Sequence, residues 1–119
     1  MAKLLVHVTT GPEDPTRAAL AFLVAKTAVS EGHEVSMFLA GDGVSLLRQD
    51  SLDSVEGVGT GRLGEHFQAI AGADVPVFAS GMSCQARGIS EGDLGGRAKM
   101  AMPDVLVRLV TDSDRVLVY

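Results

Sequence analysis

Val75-Pro76-Val77-Phe78-Ala79-Ser80-Gly81-Met82-Ser83-Cys84-Gln85-Ala86-Arg87 is the stretch on which the fold turns. Its first five residues are a short apolar run, too brief for a helix, and predict a buried strand. Ser80 to Ser83 predict a tight turn, and Cys84 to Arg87 the opening of a helical turn. A strand that passes straight into a helix is the repeating unit of an α/β sheet.

The same unit recurs on either side. Leu4 to Val8 is near-continuously apolar and predicts a strand buried on both faces. Asp14 followed by Pro15 predicts a helix start, with an N-cap and then proline at the first helical position. That helix should run to about Glu31, with Gly32 as its left-handed stop. Little polar surface separates Arg17 from Lys26 in it, and a helix needs only one apolar stripe to cover a sheet. The excess predicts a second partner, another helix or another subunit. Glu34 to Ala40 predict the second strand, Gly41-Asp42-Gly43 a turn, and Val44 to Gln49 a short helix. Asp50 to Gly61 predict a loop. Leu63, Phe67 and Ile70 stand at helical spacing, with Gly72 ending that helix. Gly88 to Ala101 read as irregular. Met102-Pro103-Asp104 predict a last helix with Val105, Leu106, Leu109 and Val110 inward, and Arg115 to Tyr119 a terminal strand. The pattern predicts one domain over residues 1–119, a three-layer α/β/α fold with a mostly parallel sheet in a flavodoxin-like architecture. Function in such sheets gathers at the carboxyl ends of the strands. Thr9 to Asp14, Ala40 to Gly43 and Ser80 to Cys84 are the loops that qualify.

A net charge of −5 with scattered basic residues argues against nucleic acid as a partner. The longest apolar run, Ala18 to Ala25, is too short to span a bilayer, and no signal-peptide pattern opens the chain. We expect a cytoplasmic protein without a membrane partner. One cysteine makes no internal disulfide and no C-x-x-C pair.

Cys84 therefore draws the chemical argument. A thiol at a helix start, with Arg87 three residues on, should be biased towards thiolate, the reactive form. The competing reading is a small buried hydrophobe. The three histidines make poor partners for it. His7 lies in the first strand as a hydrogen-bonded core residue, His33 at the far end of the second, and His66 on a helix facing solvent. We expect no metal site, because one thiol and dispersed imidazoles lack ligand spacing. We expect no cofactor: Gly57-Val58-Gly59-Thr60-Gly61 lacks the context of a nucleotide loop and reads as flexible. Glu13, Asp14 and two prolines make the first loop unsuited to the FMN phosphate. Asp42 between two glycines reads as turn chemistry, and Ser90 with Asp93 as a capping box.

The chain resembles the DsrE/DsrF-like family of small sulfur-metabolism proteins. The resemblance runs through Lys3-Leu4-Leu5-Val6, Thr10-Gly11, the alanine-rich first helix and Phe38-Leu39-Ala40-Gly41-Asp42-Gly43-Val44. It continues through Val75-Pro76-Val77, Gly81-Met82-Ser83-Cys84-Gln85-Ala86-Arg87-Gly88-Ile89, Met102-Pro103 and Asp114 to Tyr119. It implies a homo-oligomer, a trimer or hexamer. It also implies that Cys84 carries a persulfide between sulfur donor and acceptor proteins. Arg87, Ser83 and Gly81 would support the cysteine, and Thr10, Gly11, Asp42 and Gly43 would line a cleft beside it. Two other readings stay open: a non-catalytic binding or assembly module with a structural cysteine, and a peroxide-sensing thiol.

Overall fold

The structure, a computed structural model, describes residues Met1–Tyr119. Strand β1 (Lys3–Val8) leads through a loop into helix α1 (Pro15–Ser30), and β2 (Glu34–Leu39) follows. The Asp14 carboxylate accepts from the Arg17 N–H at 3.1 Å, with proline at the start of the helix. Gly32 takes φ +87°, the left-handed stop that the sequence predicts. A 3₁₀ segment, Gly41–Leu47, replaces the expected short helix and precedes α2 (Gln49–Ser54). The stretch Asp50 to Gly61, expected to be a loop, instead holds most of α2 and a small hairpin, β3 (Glu56–Gly57) and β4 (Gly61–Arg62), before α3 (Leu63–Gly72). Helix α3 ends at Gly72, as the sequence predicts, and the chain turns away at Asp74 with φ +58°. Then come β5 (Val77–Ser80), α4 (Gly81–Ala86), α5 (Glu91–Leu94), β6 (Lys99–Ala101), α6 (Pro103–Asp112) and β7 (Arg115–Val118).

Five strands form one sheet in the order β6-β5-β2-β1-β7, all neighbours parallel. The fold class is as the sequence implied. The segment read as irregular contributes α5, with the Ser90–Asp93 capping box, and edge strand β6. Strand β6 is only three residues long, so its β pattern was too brief to show.

Strand alternation sends Val6, Val8, Met37, Leu39, Val77 and Ala79 to one face. There they join Ala18, Ala21, Phe22 and Ala25 of α1 and Leu63, Phe67 and Ile70 of α3 in the main core. The broad apolar surface of α1 finds its second partner inside the chain. Helix α3 packs beside it, and the hairpin is tied to its first turn by Val58 N–H on Thr16 Oγ1 at 3.0 Å and Thr60 Oγ1 on the Thr16 carbonyl at 2.9 Å. The apolar width of α1 therefore gives no reason for a second subunit.

The opposite face is covered more thinly. Leu5 and Phe38 are buried there under α6, yet no residue of α6 is buried itself. Val105, Leu106 and Leu109 are half-buried, while Val110, expected inward, is 41% exposed and Val107 60%. A cavity of about 250 Å³ between the sheet and α6 is lined by Phe78 and Leu109 among others.

His7 lies on this face, edge-on to Phe38 with ring centroids 6.0 Å apart. The expected hydrogen bond is missing: Nε2 is buried with no partner. Burial pushes the imidazole pKa below its usual value of 6.5. The unfolded chain then takes up a proton that the folded chain refuses. Stability at this position is full above about pH 6.5 and falls as pH drops towards the lowered folded-state value. His7→Phe should raise stability by about 1 kcal/mol and flatten that acid limb in urea titrations across pH.

Candidate functional site

The loops after β1, β2 and β5 meet at the carboxyl edge of the sheet, because those strands are neighbours in the order β5-β2-β1. The first two touch through backbone. A methyl group on Gly11 would lie 2.4 Å from the Asp42 carbonyl oxygen, and one on Gly43 would lie 2.4 Å from the Val8 carbonyl oxygen. Only glycine permits either approach. Gly11 N–H also donates to Glu13 Oε1 at 2.9 Å. Thr10 is half-buried beside this contact. The expected cleft among Thr10, Gly11, Asp42 and Gly43 is instead a packed junction. The structure's three cavities lie elsewhere, the largest of about 510 Å³ between α2 and α3.

The third loop is bound to this junction through side chains. Ser80 caps α4, its Oγ accepting from the Ser83 N–H at 3.2 Å. Ser83 Oγ accepts from the Gly41 N–H at 2.8 Å. Arg87 reaches Asp42 with Nη2 at 2.9 Å and Nε at 3.3 Å from the same carboxylate oxygen, and its Nη1 donates to the Ser83 carbonyl at 3.1 Å. Arg48 Nη2 donates to the Arg87 carbonyl at 3.3 Å, while its Nε is buried with no partner. Asp42 is 62% exposed and Arg87 32% in their side chains. An ion pair this wet contributes no more than about 1 kcal/mol to folding, so its interest lies in where it puts charge.

Gly81, Ser83, Cys84 and Arg87 are thus brought together with Asp42. The surroundings of Cys84 differ from those the sequence led us to expect. Helix α4 starts at Gly81, not at Cys84, which makes the cysteine its fourth residue. It lies beyond the free N–H groups of the first turn, in a helix too short to carry a strong dipole. The side chain points inward, is fully buried and belongs to the main core with Ile89 and Leu94. Burial raises the thiol pKa above its ordinary value, and the nearby Arg87 guanidinium opposes that rise without cancelling it. The expected thiolate is therefore a closed, protonated thiol.

One further group went unnoticed in the sequence and another was misplaced by it. Arg48 is the first, and only the apolar pair Leu46-Leu47 before it hinted that its stem would be buried. His66 is the second. Expected in solvent, it is buried, with Nε2 2.7 Å from the Thr60 carbonyl and Nδ1 3.5 Å from Lys26 Nζ. It fixes the hairpin to α1 and α3, far from the cysteine in the chain's wiring. His33 Nδ1 accepts from the Ala2 N–H at 3.0 Å, at the amino edge of the sheet as expected.

Several solved structures share this architecture. The ychN protein from E. coli superposes with a TM-score of 0.84 at 18% identity, covering 100% of both chains. Protein MTH1491 from Methanobacterium thermoautotrophicum, of unknown function, does so at 0.77 and 16%, again over 100% of both. These likenesses show the fold. In sequence, the uncharacterized protein MJ0989 from Methanocaldococcus jannaschii is 31% identical over 98% of this chain and 99% of its own length. The family model of the DsrE/DsrF-like family matches residues 2–119. From its second residue to its last, the chain belongs to the DsrE/DsrF-like family.

Proposed function

We propose that this protein is a sulfur-relay carrier in which Cys84, closed in the resting chain, opens to hold a persulfide. The observation that carries the reading is the position of its single thiol. Cys84 follows β5 at the carboxyl edge of the sheet, on a short helix whose C-terminal Arg87 lowers the cost of ionising it. In the transfer, the Cys84 thiolate attacks the outer sulfur of a donor persulfide. A bond forms between the two sulfurs, the donor's own S–S bond breaks, and the donor leaves as a thiolate. An acceptor thiolate then takes the outer sulfur, and Cys84 departs as the leaving thiolate, with no net oxidation at any step. Ser83 and Gly81 support the cysteine by setting the start of α4. Donor and acceptor are proteins, and the site is cytoplasmic.

The carrier works as a homo-oligomer, a trimer or hexamer. Support for a second copy comes from α6 and β7, where Val107, Val110 and Val118 (56% exposed) leave apolar surface in water. A second reading is favoured by the burial of Cys84 itself: an assembly module in which the cysteine only packs. Cyanolysis after incubation with a persulfide donor separates the two. The carrier reading expects about one cyanide-labile sulfur per chain in the wild type and none in Cys84→Ala. Wild type indistinguishable from Cys84→Ala would leave only the assembly module.

A further inference from the structure

Arg87 serves two neighbours. It is the residue that ends the cysteine's helix, and its guanidinium makes two of its contacts to one oxygen of Asp42, from the neighbouring strand's loop. Asp42 cannot drift away, because its backbone is wedged against Gly11 and the preceding Gly41 N–H is held by Ser83. We infer that Asp42 is a positioning residue for Cys84: its carboxylate neutralises the guanidinium beside the cysteine and so sets how readily the thiol ionises. The inference rests on the reading of Cys84 as the sulfur-bearing residue.

The other charged groups around α4 are occupied. The Asp93 carboxylate accepts from the Ser90 N–H while the Asp93 N–H donates to Ser90 Oγ, Arg48 is bonded to the Arg87 carbonyl, and Arg97 is bonded to the carbonyls of Leu47 and Leu94. Asp42 is the one carboxylate paired with Arg87. A thiolate is favoured by nearby positive charge and opposed by nearby negative charge, and both effects grow where water is excluded. The pair offers the fully buried sulfur a cation already spent on an anion. Arg87 does pull the thiol pKa down, yet burial outweighs it. Removing the Asp42 charge while keeping its oxygen should free the guanidinium for the sulfur.

Asp42→Asn does this, since the amide oxygen still accepts from Arg87. The test is the pH titration of the Cys84 thiolate by its ultraviolet absorbance in the folded chain, with iodoacetamide labelling and urea stability measured alongside. The midpoint should move down in Asp42→Asn, with labelling near neutral pH about 3–10-fold faster, and up in Arg87→Gln. A midpoint unchanged in Asp42→Asn overturns the inference. So does a rate raised by one factor at every pH, which is the mark of a loosened helix instead of a changed charge. A shifted midpoint in protein that never takes up sulfur would support the role of Asp42 while removing the relay reading.

Discussion

Gly43→Ala should cost the fold about 3 kcal/mol, seen as a lower urea midpoint with an unchanged slope. The added methyl would sit 2.4 Å from the Val8 carbonyl oxygen and 3.0 Å from its carbon. Both are backbone atoms of β1, which the parallel register Val8↔Leu39 holds in place. A side chain could rotate away, whereas this carbonyl can yield only by bending a central strand. Gly43 has no left-handed φ, so steric approach accounts for the whole effect. Gly72→Ala is the control: a methyl there meets nothing within 4 Å, and the exchange inside α3 should be neutral or slightly stabilising. Equal losses at the two positions would contradict the packing of the first two loops.

Cys84 should label on the order of 100-fold more slowly in the folded chain than in urea. The sulfur has no exposed surface, and its raised pKa holds it protonated at neutral pH. The sign for stability follows. A thiol whose folded pKa lies above the ordinary 9.0 favours the folded state fully below that pH, and the benefit fades as pH rises through the folded value. Wild type should therefore lose stability above about pH 9, and Cys84→Ala should not. Fast labelling without denaturant would show an open thiol and contradict the packing of α4.

The layers of this fold were legible because its main elements announce themselves. Leu4–Val8 and Val35–Leu39 are mostly apolar strands, and Asp14-Pro15 and Met102-Pro103 mark helix starts that the structure keeps. The hairpin and β6 escaped notice because two or three residues carry no period. The candidate site was legible only in part. Cys84, Ser83 and Arg87 are near in sequence, so their grouping could be read. The bond from Arg87 to Asp42 joins residues 45 positions apart and depends on β2 lying beside β5, which alternation of elements does not reveal. The direction in which Cys84 points turned on where α4 begins. Starting the helix at Gly81 instead of Cys84 rotates the sulfur from the edge into the core, and boundaries of short helices are set by capping contacts such as Ser80 to Ser83.

The mass of the folded chain after exposure to a protein persulfide donor bears most directly on the proposed carrier. The account predicts that wild type gains one sulfur atom, localised to Cys84 by peptide mapping and returned on addition of an acceptor thiol, while Cys84→Ala gains nothing. Folded wild-type protein whose mass stays unchanged would contradict it.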